Sequence, residues 1–171
     1  MSLDNGHSHV YIHVYMFLLR VITALSKARV PYGLVGGYAV ALHGAVRGTM
    51  DIDLVIRLDE DQFVRAERAL KSIGMEPRLP VTAREVFRFR EEYIANRNLT
   101  AWSFVNPATP SELVDIVLTH NLGELTTRPL RVQGKQIRVV SLDDLIRMKQ
   151  EAGRPQDQED VRALKAIRGK R

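Results

Sequence analysis

The sequence predicts an α+β fold in which a small mixed β-sheet is flanked by helices and followed by a helical C-terminal segment. Runs with apolar residues at helical spacing are interleaved with short runs of alternating or continuous apolar residues. Several strand patterns come together in the middle of the chain, and two helix patterns follow them, which is typical of an α+β layout. The 171 residues are 45% apolar and 26% charged, which suits one globular unit with a full core.

The first part of the chain alternates between helix and strand patterns. Residues 10–29 have apolar side chains at the spacing of a helix that buries one broad face. A short strand follows and ends at Gly36–Gly37, and the good helix formers of residues 38–46 predict a short helix. Residues 50–58 alternate as a strand, and residues 59–74 form an amphipathic helix with acids in its first turn.

The middle of the chain is rich in strand patterns. We predict strands at residues 85–91, 99–105 and 111–118, separated by polar or proline-containing loops. Residues 130–140 predict a β-hairpin that turns at Gln133–Gly134, because glycine adopts the positive φ that tight hairpin turns require.

Two helices are predicted to close the sequence. Ser141 and Asp144 form a capping-box pattern at the start of the first helix, which ends at Gly153. Pro155 then suits the first turn of a last helix over residues 155–167. We therefore expect a core over residues 1–140 and a helical pair packed on it over residues 141–171.

The composition excludes several classes of function. There is no cysteine, so disulfides, thiolate metal sites and thiol nucleophiles are ruled out. The apolar runs are shorter than the roughly 18 residues that span a membrane, and the polar first nine residues do not resemble a signal peptide. We expect a cytoplasmic protein. The net charge of +5 is spread along the chain, which favours a solvated surface over a phosphate-rich partner such as a nucleotide or RNA.

Two aspartates one residue apart lie at the start of an apolar strand pattern. On a strand, Asp51 and Asp53 would point to the same face, about 6.5–7 Å apart. Neighbouring carboxylates repel each other unless a cation or a proton lies between them, and Mg²⁺ commonly binds one or two carboxylates together with substrate phosphates. The alternative is that both aspartates are exposed at the end of the strand.

A third aspartate interrupts another apolar strand. Asp115 stands between Val114 and Ile116, where a buried charge is costly unless it is paired or bound to a metal. Taken alone, Asp115 would be a salt-bridged core residue. If its strand lies beside the strand of Asp51 and Asp53, the three carboxylates form one cluster.

The glycine pair lies fourteen residues before Asp51, between a strand and a helix. Gly36 and Gly37 would let backbone amides approach a phosphate closely, and a helix N-terminus favours negative charge. A lone glycine pair is weak evidence, but its position before the aspartates strengthens it.

The stretch "GGYAVALHGAVRGTMDIDLVI" resembles the signature of the DNA polymerase β-like nucleotidyltransferase superfamily. In that signature a Gly-Gly or Gly-Ser pair, a spacer helix and an Asp-x-Asp strand follow one another. The resemblance spans about residues 30–118. The residues of this stretch are similar to those of a small bacterial branch that includes abortive-infection type nucleotidyltransferase toxins. A second resemblance is to the closing motif of that branch, at Lys149, Arg154, Asp157 and Asp160.

The resemblance implies a nucleotidyltransferase-like catalytic core and a role for each matching residue. Asp51 and Asp53 would bind two divalent ions, Mg²⁺ or alternatively Mn²⁺, and Asp115 would hold the catalytic ion and help to deprotonate the acceptor. Gly36 and Gly37 would lie against the triphosphate, and Lys149 would neutralise phosphate charge. Arg154 joins Lys149 as a candidate substrate-binding residue.

The implied activity is metal-dependent transfer of a nucleoside monophosphate from a nucleoside triphosphate to an acceptor hydroxyl. The acceptor could be a tRNA end, a protein side chain or a small molecule such as an antibiotic. The alternatives are a non-catalytic nucleotide-binding or regulatory component of a toxin–antitoxin system, with a cognate partner protein, and an RNA-binding protein. The oligomeric state is left open by the sequence.

Other residues carry two interpretations each. Arg47 and Thr49 would supply a phosphate contact and a loop-shaping hydroxyl, or a surface charge and an ordinary strand entry. His43 is predicted to pack in the interior, with a substrate contact as the alternative. Asp157 and Asp160 suit the first turn of a helix, with a salt bridge to Arg154 as the second interpretation.

The aromatic pair and the N-terminal histidines have structural interpretations first. Trp102 and Phe104 are predicted to be core residues, although they could also stack on a base. His7, His9 and His13 are close in sequence, but a metal site there is the weaker interpretation.

Overall fold

The computed structural model of the protein describes residues 5–170. Side chains are described for residue 13 and for residues 15–170, so the candidate metal ligands His7 and His9 lie outside the described side chains. The helices of the described region are α1 (Asn5–Lys27), α2 (Gly36–Leu42), α3 (Glu60–Lys71), α4 (Ala83–Arg88), α5 (Arg90–Arg97), α6 (Leu142–Ala152) and α7 (Pro155–Arg168). None of these helices is long and apolar enough to cross a membrane.

The strands form one mixed sheet, so the predicted α+β fold is confirmed. They are β1 (Tyr32–Val35), β2 (Ile52–Ile56), β3 (Glu76–Pro77), β4 (Ala101–Asn106), β5 (Thr109–Val117), β6 (Thr127–Val132) and β7 (Lys135–Val140). Their order in the sheet is β3-β4-β5-β2-β1-β7-β6. The β2–β5 and β1–β7 pairs are parallel, whereas the other neighbours are antiparallel. As predicted, the β6–β7 hairpin turns at Gln133 and Gly134, which both have positive φ.

The core contains the aromatic residues that the sequence assigned to it. Trp102 is fully buried, and its ring centroid lies 4.5 Å from that of Phe104 and 6.2 Å from that of Phe63. These rings join β4 to α3, and the apolar residues of the central strands β1 and β2 complete the core around them. The core interpretation of Trp102 and Phe104 is confirmed.

The predicted strand over residues 85–91 is wrong. These residues lie in α4 and α5, with Phe89 at the junction. Thr82 and Glu85 form a reciprocal capping box that starts α4, and Ala83 and Val86 are buried three residues apart, as on one face of a helix. The alternation of apolar and basic residues in "VFRFR" is typical of a strand, but the capping box that begins at Thr82, four residues earlier, favours the helix.

Two boundaries show how the C-terminal helices join the core. The predicted helix over 38–46 is shorter than expected, and α2 ends at Leu42. The next residue, His43, is buried with Nε2 2.8 Å from the Val140 carbonyl oxygen, in agreement with its packing interpretation. Ser141 caps α6, and the Asp144 carboxylate accepts a 2.7 Å hydrogen bond from the Thr126 amide. The division of the chain at residue 140 remains a prediction.

A buried carboxylate on β5 was not predicted. Glu112 is 2% exposed and pairs with Arg20 of α1, whose Nη2 lies 2.8 Å from Oε2. The side-chain amide of Asn106 donates to the same oxygen over 2.6 Å, and His13 Nε2 lies 3.4 Å from Oε1. His13 therefore contacts this carboxylate. The cluster fastens α1 to the β4–β5 hairpin.

We predict that Arg20→Gln lowers the free energy of unfolding by about 2–3 kcal/mol, because it leaves the buried Glu112 charge without its main partner. The control Arg65→Gln removes an exposed pair with Asp61 and should cost less than about 0.5 kcal/mol. Urea unfolding of the two variants measures the difference. Equal losses would contradict a buried charge that depends on Arg20.

Candidate active site

Two of the predicted carboxylates lie side by side on adjacent strands. In the parallel β2–β5 pair, Asp53 is in register with Asp115. Residues in register point to the same face, and neighbouring strands are about 4.8 Å apart. On the outer sides of the pair, Val35 of β1 is in register with Asp53, and Ser103 of β4 with Asp115. One row across the sheet therefore places both carboxylates together.

The third carboxylate comes from the segment just before β2. Asp51 is exposed and precedes the strand, which begins at Ile52. It is close enough to Asp53 and Asp115 for its charge to raise the pKa of both. The sequence placed Asp51 on the strand itself, whereas the structure places it at the entry.

The pocket holds these acids in an environment that disfavours their charge. Burial, and then repulsion from Asp115 and Asp51, raises the pKa of Asp53 to about 6. Burial also raises the pKa of Asp115, and a hydrogen bond with Ser103 partly opposes this effect. Lys149 and Arg154 lower the pKa of Asp53, but no ion pair within the described residues contacts any of the three acids.

The carboxylates fit a divalent ion that shares its coordination with a substrate. No group of three or more histidine, aspartate or glutamate side chains in residues 13 and 15–170 is arranged so that it could hold a metal ion. Mg²⁺ does not need such a group, since it commonly uses one or two carboxylates and completes its shell with water and phosphate oxygens. Two adjacent aspartates with raised pKa values provide hard oxygen ligands whose repulsion a cation would remove.

The glycine pair makes room for the residues that follow it in the site. Gly36 has a φ of +65°, and a Cβ at this position would overlap the carboxylate of Asp53. A Cβ on Gly37 would lie 2.7 Å from the Cβ of Thr49, closer than real Cβ contacts. The absence of both side chains therefore lets the start of α2 pack directly against β2 and the loop before it.

The predicted site residues meet in one pocket of about 890 Å³. All nine of them line it: Gly36, Gly37, Arg47, Thr49, Asp51, Asp53, Asp115, Lys149 and Arg154. The first six come from the β1–α2–β2 segment, Asp115 from β5, and the last two from α6 and the residue before α7. The pocket thus lies between the sheet and the C-terminal helices.

A buried ion network forms the helical wall of this pocket. Lys149 is 7% exposed, and its Nζ lies 2.8 Å from Asp157 Oδ1 and 2.9 Å from Asp160 Oδ2. Arg154 Nε contacts Asp157 Oδ2 at 2.6 Å, and Arg47 Nε lies 3.4 Å from Asp160 Oδ1. Three cations share two anions, so the network keeps one excess positive charge facing the aspartates across the pocket.

The first interpretation of Asp157 and Asp160 is therefore incomplete. They lie near the start of α7 as predicted, but they are 1% and 3% exposed, and both are bound to cations. The predicted salt bridge to Arg154 exists for Asp157. The sequence did not show that Lys149 joins both aspartates, because helix position alone does not reveal which carboxylates face the core.

A polar part of the pocket wall was not predicted from the sequence. Asn98, Thr100, Thr119, His120 and Glu151 line the pocket beside Asp115. His120 Nδ1 lies 2.9 Å from the Thr119 hydroxyl, and His120 Nε2 lies 3.0 Å from Glu151 Oε2. The one signal in the sequence was the spacing of Thr119, four residues after Asp115, although β5 itself ends at Val117 and Thr119 lies in the bend that follows.

The fold is shared with solved nucleotidyltransferase structures. The lincomycin-bound lincosamide antibiotic adenylyltransferase LnuA is 15% identical with a TM-score of 0.60, over 89% of this chain and 96% of that one. The antibiotic-resistance factor ANT(2'')-Ia is 15% identical with a TM-score of 0.59, over 90% and 83%. A nucleotidyltransferase-like protein from Paracoccidioides brasiliensis is 20% identical with a TM-score of 0.53, over 88% and 74%.

The sequence itself gives no closer relation. No protein-family profile matches it, and no curated protein matches it significantly. At 15% to 20% identity, the structural neighbours establish the fold of this chain: an α+β domain with the architecture seen in nucleotidyltransferases.

We predict that Gly36→Ala destabilises the protein more than Gly134→Ala does. Both glycines have positive φ, so each substitution should cost about 1 kcal/mol of backbone strain. A Cβ at position 134 meets open space, whereas at position 36 it displaces Asp53 and should cost about 1–3 kcal/mol more. Urea unfolding measures both losses, and equal values would mean that Gly36 does not constrain Asp53.

We predict that Asp157→Asn lowers the free energy of unfolding at pH 7 by about 3 kcal/mol, because it removes one anion from the buried network. Burial acts to raise the pKa of Asp157, but hydrogen bonds from Arg154 and Lys149 outweigh it and hold the pKa below its usual value. The stabilisation is therefore complete above about pH 4, the pKa of an unfolded aspartate, and is lost as the pH falls through the lower folded value.

The difference in the free energy of unfolding between wild type and Asp157→Asn should accordingly become smaller below pH 4. Unfolding by urea between pH 2.5 and pH 7 measures it. Asp143→Asn is the matched control, since Asp143 forms an exposed pair with Arg168 and should matter little at any pH. A difference that stays constant into acid would contradict the ionised network.

Proposed function

We propose that this protein is a nucleotidyltransferase that transfers a nucleoside monophosphate from a nucleoside triphosphate to a hydroxyl group of a small molecule. The observation that supports this most directly is the in-register pairing of Asp53 with Asp115, beside Asp51 and the glycine pair, in one pocket. Nine residues chosen from sequence patterns line that pocket, although they come from separate segments.

The triphosphate would bind between the glycine pair and the cationic wall. Gly36 and Gly37 line the pocket, and the backbone amides of glycines can approach phosphate oxygens closely. Lys149, Arg154 and Arg47 line the pocket, and the excess positive charge of their network offsets the charge that builds up as pyrophosphate leaves. Lys149 would act within this network, and not as a free cation.

The reaction joins the acceptor oxygen to the α-phosphorus of the nucleotide. The bond between that phosphorus and the oxygen bridging to the β-phosphate breaks, and pyrophosphate leaves with this oxygen. Asp115 lies on the sheet side of the pocket and would accept the proton of the acceptor hydroxyl. This role suits a carboxylate whose pKa is raised by burial.

Asp51, Asp53 and Asp115 are the residues that would hold the divalent ions, with Mg²⁺ as the first candidate and Mn²⁺ as the alternative. Bound there, Mg²⁺ would offset negative charge on the attacking and leaving oxygens. The resemblance in sequence suggests two ions, and the raised pKa values of Asp53 and Asp115 support a cation at this position.

A small-molecule acceptor is favoured by the structural neighbours. LnuA is named a lincosamide antibiotic adenylyltransferase, and ANT(2'')-Ia is an antibiotic-resistance factor solved with adenylyl-2''-tobramycin. The toxin interpretation, with a cognate partner protein, rests on the sequence motifs alone. A tRNA end or a protein side chain is therefore the second candidate acceptor.

The direct test is transfer of label from α-³²P nucleoside triphosphates with Mg²⁺ to tobramycin, lincomycin, total RNA or total protein. We predict transfer to a small molecule by the wild type. Asp53→Asn and Asp115→Asn should each lower the rate at least about a hundredfold, because each removes a carboxylate that would hold the divalent ion, and Asp115 is also the proposed proton acceptor. Asp143→Asn, on the outer side of α6, is the control and should keep the wild-type rate.

Two results would contradict this proposal. Nucleotide binding without transfer to any acceptor would favour the non-catalytic regulatory module. Transfer that survives Asp53→Asn and Asp115→Asn would place the chemistry elsewhere in the protein.

A further inference from the structure

The polar wall beside Asp115 has a defined hydrogen-bond arrangement that the proposed chemistry does not use. Glu151 accepts hydrogen bonds only, so in the neutral ring His120 Nε2 carries the proton and donates to it over 3.0 Å. His120 Nδ1 is then an acceptor for the Thr119 hydroxyl at 2.9 Å. The three residues form a chain that links the end of β5 to α6.

The hydrogen-bonded residues Thr119, His120 and Glu151 lie on the side of the pocket from which an acceptor would approach. The direction of this approach rests on the proposed function. Across the sheet, the order is Gly36 after β1, then Asp53 on β2, then Asp115 on β5. Attacking and leaving oxygens lie roughly in line on opposite sides of the transferred phosphorus. With pyrophosphate at the glycine side, the acceptor hydroxyl comes from the side of β5, where Thr119 and His120 follow the strand.

The charges on this wall differ from those of the ion network, although Glu151 and Lys149 both belong to α6. Arg47, Lys149 and Arg154 are the lysine and arginine side chains that line the described pocket, and all belong to the ion network. The acceptor side instead has Asn98, Thr100, Thr119, His120 and Glu151. Among these five residues the one fixed charge is that of Glu151, which is negative, and the neighbouring Asp115 is also a carboxylate.

Glu151 is available to a ligand. Its side chain is 55% exposed, while its partner His120 is 20% exposed and holds one carboxylate oxygen in place. Arg147 reaches the other oxygen only at 4.0 Å and is itself bound to Asp144 at 2.8 Å. Arg147 does not line the pocket, and the three cations that do line it pair with Asp157 and Asp160 and not with Glu151.

We propose that Glu151, held by His120, binds a protonated amine of the acceptor and so selects a cationic, polyhydroxylated small molecule. Thr119 and Thr100 supply neutral hydrogen-bonding groups for hydroxyls of the same molecule. A polyanionic RNA end is disfavoured on this wall, because its phosphates would meet a carboxylate where recognition of a phosphate backbone needs lysine or arginine. His120 is a positioning residue, since it acts through Glu151.

The test is equilibrium binding, by calorimetry, of three probes to the full chain: tobramycin as a cationic polyol, trehalose as a neutral one, and a short RNA with a free 3′-hydroxyl. We expect tobramycin to bind more tightly than the other two. Glu151→Gln should weaken tobramycin binding about tenfold to a hundredfold, the range for loss of a charge-assisted hydrogen bond. Glu92→Gln, an exposed glutamate of α5 outside the pocket, is the matched control and should change nothing.

A second variant separates positioning from folding. His120→Ala should weaken tobramycin binding by a smaller factor, while His120→Gln, which can still donate to Glu151, should restore part of the loss. ATP affinity should stay unchanged in all three pocket variants. The proposal is overturned if the wild type prefers RNA or trehalose, if it binds no tobramycin, or if Glu151→Gln binds tobramycin as well as the control does.

This outcome is separate from that of the transfer assay. Tobramycin binding that depends on Glu151 would stand even if no label is transferred. Conversely, Asp53→Asn could abolish transfer while Glu151→Gln leaves the KM for the acceptor unchanged. That result would retain the proposed function and contradict this inference.

Discussion

Repulsion between two partly buried carboxylates is the constraint on which this site depends. Asp53 and Asp115 occupy the same register on adjacent parallel strands, and within the described residues neither forms an ion pair. A structure that needed only stability would replace one of them with an apolar residue, because a buried unpaired charge is costly. The neighbouring features agree with this constraint: Gly36 leaves room for the carboxylate of Asp53, and the cationic network faces the pair across the pocket.

The C-terminal helices contribute charged side chains to the pocket as well as apolar packing to the core. Lys149 of α6 is bound to Asp157 and Asp160 of α7, and Arg47 reaches Asp160 from the loop before β2. Buried ion networks add little net stability over a well-packed apolar interior, but removing one member is costly. The network therefore fixes where α6 and α7 sit relative to the loop that carries Arg47 and Thr49. It also holds Lys149 in a fixed position in the pocket wall.

The sequence predicted which residues line the pocket better than how they come together. The sequence was sufficient to predict Asp51, Asp53, Gly36 and Gly37, because a charge in an apolar strand and a glycine pair before a helix are local signals. The pairing of β2 with β5 could not be predicted in the same way, since register depends on contacts between distant segments. His120 and Glu151 are 31 residues apart and meet only in the folded chain. Residues 85–91 were predicted as a strand because their apolar and polar side chains alternate. The capping box at Thr82 instead starts a helix there.

The central proposal is that a divalent cation binds at Asp53 and Asp115, with Asp51 beside them, next to a bound nucleotide. The most direct measurement is an anomalous difference map from crystals grown with Mn²⁺ and a non-hydrolysable ATP analogue. Our account predicts a peak bound by oxygens of Asp53 and Asp115, with the triphosphate between the glycine pair and Lys149. A nucleotide seated elsewhere, or no peak between these carboxylates, would contradict it.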